Sequence, residues 1–237
     1  PKPQNPTDLT RSIIKRMFKA SIIAAVTAQL VLPTQDEIVD YVDRSVENML
    51  AYGSSFLPTG VSLGACPTVD AMHSFNAEQY TGVWYQAAIN HASQKQQGGQ
   101  CVFADYEWNP DATTIHVDNS QQKGEVDKFD PRTHITGYAR LASSDHTGHL
   151  MVKLEGMPVE SNYYVLRTDY TSYAVVYSCD EVAPGVKFEG AWVLSRLPTP
   201  VLDPIVDQAK FEYKKVGLDW DSNMEFTLQG SAIGCDY

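Results

Sequence analysis

Gly82-Val83-Trp84-Tyr85, then Thr168-Asp169-Tyr170, then Trp192-Val193-Leu194-Ser195-Arg196 decide the fold of this chain, in that order. A Gly and a Trp open the first strand, and an indole is large enough to plug the end of a barrel while needing a partner for its ring and its N–H. Arg196 supplies such a partner, because a guanidinium plane stacks on an indole face. Thr168-Asp169-Tyr170 lies between two strand-like runs, where an Asp carboxylate ties a turn to its own backbone.

Outward from these segments, strand signals recur at regular spacing over roughly 83–91, 101–108, 113–119, 133–142, 149–155, 162–169, 173–179 and 190–196. Turn chemistry separates them at Asn109-Pro110-Asp111, Asp130-Pro131, Asp145 to Gly148 and Asp169 to Ser172. Short strands in hairpin order suit an antiparallel up-and-down barrel, which leaves no exposed sheet edge. Asp203-Pro204 reads as an N-cap followed by Pro at the first helical position. Ile205, Val206, Ala209 and Tyr213 give that helix one apolar face before Gly217, and a short strand is expected over Met224–Leu228.

The three segments together resemble the conserved segments of the lipocalin family. The resemblance runs from about Gly64 to Cys235 and is closest to the apolipoprotein D-like and bacterial-type branch, through Gly64-Ala65-Cys66-Pro67, Phe75 to Tyr80, Cys101 to Tyr106 and Tyr173 to Cys179. It implies an all-β, eight-stranded barrel with a C-terminal helix packed outside it. It also implies structural roles for Gly82, Trp84, Thr168, Asp169, Tyr170 and Arg196, and disulfides Cys66–Cys179 and Cys101–Cys235. Four free buried thiols are the other reading of those cysteines. Bridges would place the domain in an oxidising compartment.

Residues 64–237 would thus form the lipocalin domain, with two segments ahead of it for which the family offers no counterpart. Residues 1–33 are first basic, with net charge +4 over 1–19, and then apolar from Ala20 to Leu32, while 33–60 carry net charge −4. That charge order is the one the positive-inside rule gives a membrane-held segment. The apolar stretch alone reaches about 20 Å as a helix, short of a hydrocarbon core of about 30 Å, so 12–32 reads as a short anchor or membrane-surface helix with Lys15, Arg16 and Lys19 at the headgroups. A cleavable export signal ending near Val26-Thr27-Ala28 is the competing reading. Residues 34–63 then open on the capping box Thr34-Gln35-Asp36-Glu37. They carry the stripe Ile38, Val39, Val42, Val46, Met49, Leu50 and pass into a linker over 53–65.

Composition narrows the function. A net charge of −11 over 237 residues argues against nucleic acid. The six His are scattered, and His146 and His149 read as a surface hairpin pair, so no metal site is expected. No Gly-x-Ser-x-Gly elbow accompanies the Ser, His and Asp residues, so no catalytic residue is named and the protein is expected not to be an enzyme. The barrel implied by the family is just wide enough for one small ligand. Strand 101–108 presents either Val102, Ala104 and Tyr106 or Cys101, Phe103 and Asp105 inward. Candidate ligand contacts are Phe103, Tyr106, Tyr138, Met151, Tyr163 and Tyr177.

Two functions follow. One is a carrier of a small hydrophobic ligand (lipid, fatty acid, carotenoid or other pigment) held at a membrane through 12–32; no cofactor is required, and a bound lipid or pigment is compatible with it. The other is a non-catalytic accessory subunit of a photosynthetic or respiratory membrane complex, docked through residues 12–52. Both put the barrel on an oxidising side, with the thylakoid lumen favoured over secreted, periplasmic or intermembrane settings. A carrier needs an open apolar cavity, whereas a docking subunit tolerates a barrel plugged by aromatic side chains.

Overall fold

Side-chain oxygens set the strand ends. Asn109 Oδ1 accepts from the N–H groups of Asp111 (3.1 Å) and Ala112 (3.2 Å), and Asp145 Oδ1 accepts from Thr147 N (3.1 Å). The computed structural model describes residues 61–125, 128–129, 131–157, 159–183 and 185–237. The segments read as a membrane anchor (12–32), an amphipathic helix (34–50) and most of the linker lie outside the described residues.

Strands β2 (Gly82–Asn90), β3 (Gln100–Asn109), β4 (Thr114–Gln122), β7 (Thr133–Leu141), β8 (His149–Leu154), β9 (Ser161–Thr168), β10 (Tyr173–Ala183) and β11 (Val186–Ser195) pair antiparallel in sequence order. Pairing of β11 with β2 closes them into an eight-stranded barrel. Two shorter strands extend the barrel sheet, β1 (Val61–Leu63) on β11 and β12 (Met224–Phe226) on β2, while β5 (Gly124–Glu125) and β6 (Lys128–Phe129) form a separate two-stranded ladder between β4 and β7 in the chain. Helix α1 (His91–Gln97) follows β2, and α2 (Asp203–Lys215) and α3 (Trp220–Asn223) follow β11.

Three expectations are corrected here. Residues 61–63 are strand and not linker, because the exposed edge of β11 at Val186 to Phe188 takes them as a partner. Helix α1 replaces the end of the first expected strand and the loop after it; it stops at Gly98, whose φ of 67° suits glycine and whose N–H donates to Gln94 O at 2.7 Å. Asp203 is not the N-cap of α2. Leu202 holds that position in extended backbone, and Asp203 falls in the first turn beside Pro204, where its charge favours the helix dipole.

Two cores divide the side chains. One draws Trp84, Ala104, Tyr106, Ile115, Val117, Ala139, Leu150, Val165, Val176 and Leu194 from all eight barrel strands, so it is the barrel interior. The other joins Val175, Tyr177, Cys179, Ala191 and Val193 to Ala209 and Tyr213 of α2, so it is an outer face covered by that helix. Alternation along β10 separates the two: Ala174 and Val176 point in, while Val175, Tyr177 and Cys179 point out. Disulfides Cys66–Cys179 and Cys101–Cys235 tie the segment before β2 and the C-terminus to the barrel wall. They span 113 and 134 residues, and each is worth about 4–5 kcal/mol in the chain-entropy account.

Candidate functional site

The closed end of the barrel is built on Trp84. Its ring is fully buried, its Nε1–H donates to Tyr80 O at 2.8 Å, and the Arg196 guanidinium carbon lies 3.5 Å from its centroid. Arg196 donates from Nη2 to Thr81 O (2.8 Å), from Nη1 to Val83 O (2.8 Å) and from Nε to Tyr170 O (3.0 Å). One side chain thus joins the start of β2 to the β9–β10 turn. Burial lowers the guanidinium pKa, and the neighbouring Tyr80 and Asp169 pull it back up. Gly82 has φ of 86°, and a Cβ there would sit 3.2 Å from Arg196 Nη1, so both backbone and space call for glycine. In the turn, Asp169 Oδ1 accepts from Thr171, Ser172 and Tyr173 N–H at 3.1, 2.8 and 3.1 Å, and Thr168 Oγ1 donates to Tyr173 O at 2.6 Å.

Above the floor, the inner wall opens by degrees. On β8, Leu150 is buried while Val152 and Leu154 keep accessible surface; on β9, Val165 is buried and Tyr163 is partly accessible; on β11, Leu194 gives way to a partly accessible Trp192. Each of these strands therefore loses burial in the direction away from Trp84. Gly190 makes the space for Trp192, since a Cβ there would meet its ring at 2.3 Å. Trp192 stacks on Tyr163 at 6.5 Å and 20°.

Of the six expected ligand contacts, Tyr106 and Tyr163 lie inside, each beside Tyr80: the Tyr163 hydroxyl bonds that of Tyr80 at 3.0 Å and the Tyr106 ring lies 5.8 Å from the Tyr80 ring. Phe103, Tyr138, Met151 and Tyr177 do not line the interior, a correction to the expected lining. Phe103 packs outside against Tyr85 (6.1 Å) and Tyr237 (5.9 Å), which settles the parity of β3 in favour of Ala104 and Tyr106. Tyr138 is 39% exposed and donates to Glu160 Oε1 at 3.2 Å. Met151 alternates with the inward Leu150 and Val152. Tyr177 is fully buried, but under α2, where its hydroxyl donates to Glu189. His149 stacks on Tyr164 and bonds Asn162 at 2.8 Å from within β8, so it forms no hairpin pair with His146. Among the described residues no three His, Cys, Asp or Glu side chains converge to hold a metal ion.

Two residues are given no role of their own in the sequence reading. Tyr80, 1% exposed, sits between Trp84 and Tyr106 with ring centroids at 5.3 and 5.8 Å; its position just ahead of Gly82-x-Trp84 was the available signal. Arg132 stacks on Phe103 at 4.9 Å outside the barrel, and no motif marks it.

Comparison with known proteins agrees with this architecture. The family model described as a lipocalin-like domain matches residues 75–222. Lazarillo protein of Schistocerca americana is 34% identical over 133 residues, 55% of this chain and 60% of its own. Apolipoprotein D of Oryctolagus cuniculus is 30% identical over 136 residues, 56% of this chain and 67% of its own. The chain thus spans about two thirds or less of the length of these two relatives. Among solved structures, H1 crustacyanin of the lobster Homarus americanus superposes with a TM-score of 0.60 at 24% identity, covering 75% of this chain and 95% of that one, a likeness of fold. With the matched region exceeding half of the sequence and the barrel closed over Trp84 and Arg196, the chain belongs to the lipocalin family.

Proposed function

We propose that the barrel binds one small hydrophobic ligand, of the lipid, fatty acid, carotenoid or pigment class, in the half away from Trp84, without catalysis. One observation carries this reading. Val152, Leu154, Tyr163 and Trp192 point into the barrel yet keep accessible surface, while their neighbours towards the floor are buried. A guest that covers such a wall gains about 25 cal/mol for each Å² of apolar surface removed from water. The relatives' membership of one family supports the same ligand class.

Two disulfides favour an oxidising extracellular or lumenal compartment. Tethering to a membrane through 12–32, with the thylakoid lumen as the favoured setting and with 1–33 and 34–63 as separate segments, remains part of the proposal and rests on charge order alone. Among the described residues no helix is long and apolar enough to cross a membrane. The accessory-subunit alternative rests on residues 12–52, and the partly accessible wall favours the carrier over it.

Titration of the full chain with N-phenyl-1-naphthylamine, a neutral probe that fluoresces in apolar cavities, tests the reading. Saturable one-to-one binding is expected, weakened about fivefold or more by Trp192→Ala through loss of aromatic contact. Non-saturable binding, or binding untouched by that substitution, would place the probe elsewhere and sink the proposal.

A further inference from the structure

Three phenols stand where the accessible wall meets the filled floor. Tyr80 and Tyr163 share a hydrogen bond of 3.0 Å between their hydroxyls, and the Tyr106 ring lies 5.8 Å from that of Tyr80. Two hydroxyls that share one hydrogen bond use one of their protons on each other, which leaves the other proton and free lone pairs for a guest. Tyr163 is the member of the three that is only partly buried. Burial pushes all three phenols above their ordinary pKa, so they stay protonated donors and acceptors through the neutral range.

The surroundings at this depth are apolar: Ala104, Ile115, Leu150, Val165 and Val176. Arg196, the cation of the floor, lies on the Trp84 ring with Nε, Nη1 and Nη2 all engaged by backbone carbonyls. An ionised carboxylate brought to the tyrosines would lose its water and meet phenol donors, with Arg196 held against the Trp84 ring and turned to backbone carbonyls, whereas an alcohol or carbonyl oxygen would exchange water for a phenol.

We propose that the tyrosine cluster selects a ligand whose inner end is neutral and hydrogen-bonding, an alcohol or carbonyl, and rejects an ionised carboxylate. This rests on the ligand cavity proposed above. The selection narrows the ligand class: a free fatty acid is disfavoured against a long-chain alcohol, ketone or oxygenated carotenoid of similar size.

All-trans-retinol and retinoic acid share a hydrocarbon skeleton and differ at one end, so their titration against the full chain isolates that end. At about pH 7.5 retinol should bind at least about tenfold more tightly, and at about pH 5 the gap should narrow as the acid protonates. Tyr163→Phe should weaken retinol about fivefold and leave retinoic acid nearly unchanged, the loss expected for one hydrogen bond. The pH arm uses the unaltered protein, so it decides the matter even if the variant folds poorly. Equal affinities at about pH 7.5, or tighter binding of the acid, would overturn the selection while the cavity stands. Failure of both retinoids to bind, together with failure of the naphthylamine probe, would overturn the cavity and the selection with it.

Discussion

Two arginines hold two corners of this barrel, and they do so differently. Arg196 at the floor stacks on Trp84 and donates to the carbonyls of Thr81, Val83 and Tyr170. Arg132, on the outer wall beside the start of β3, stacks on Phe103 and lies 5.7 Å from the Tyr237 ring. It donates to Cys101 O (3.0 Å), Ser120 Oγ (3.1 Å), Gln122 Oε1 (3.0 Å) and Asp236 O. Burial lowers the pKa of both guanidinium groups. The difference is redundancy. The C-terminal segment that Arg132 clasps is also held by Cys101–Cys235, whereas β2 and the β9–β10 turn are joined at the floor chiefly through Arg196. An arginine matters to a fold by what would come apart without it, and its count of hydrogen bonds is a poor guide.

The largest effect should follow Arg196→Ala. It removes the stack on Trp84 and strands three carbonyls near the floor, at a cost of about 2–4 kcal/mol. Urea unfolding of the purified full chain checks this; a midpoint unchanged from wild type would mean that Trp84 alone plugs the barrel. Arg132→Ala should cost about 1 kcal/mol with Cys101–Cys235 intact, because the disulfide keeps the clasped segment in place. The same substitution should cost more in a Cys101→Ala/Cys235→Ala background, a coupling that a double-mutant cycle reads directly. If Arg132→Ala matches Arg196→Ala with the disulfide present, the contrast in redundancy fails.

Much of the floor was legible because its residues are chemically unusual for where they stand. A Gly ahead of a Trp, an Asp in a turn and a late Arg each make poor sense apart and good sense together. Strand order was legible through the turn residues Asn109, Asp145 and Asp169. The facing of the strands was not. Tyr177 is as deeply buried as Val176 because α2 covers the outer wall, and Phe103 is half-buried by Arg132 and Tyr237, so apolar character falls on both faces and alternation is blurred. Helix α1 was missed because His91-Ala92-Ser93-Gln94-Lys95-Gln96-Gln97 carries no apolar stripe; the Gly98-Gly99 pair was its visible stop signal. Tyr80 lies in the segment crossing the floor, where no periodicity assigns a direction.

The smallest expected effect separates the two corners by pH. Burial pushes the Asp169 carboxyl up, but the Ser172 hydroxyl and the N–H groups of Ser172, Tyr173 and Thr171 outweigh it and hold the pKa below the ordinary carboxylate value. A group whose pKa is depressed on folding adds stability that is present above its unfolded value near 3.9 and is lost as pH falls through the lower folded value. Asp169 is exposed, so solvent screening keeps this contribution under about 1 kcal/mol. The carbonyl of Tyr170 in the same turn receives Arg196 Nε, so acid should loosen the floor first. The stability difference between wild type and Asp169→Asn should therefore shrink between about pH 5 and about pH 3. Arg132 provides the contrast, since its four acceptors are carbonyl, hydroxyl and amide oxygens that do not titrate. The Asp236 carboxylate also acts on the Arg132 charge, so the difference between wild type and Arg132→Ala should change less than the Asp169→Asn difference over that range, measured by urea unfolding at each pH. A level Asp169→Asn difference would show that the turn is held by its backbone geometry and not by the charge of Asp169.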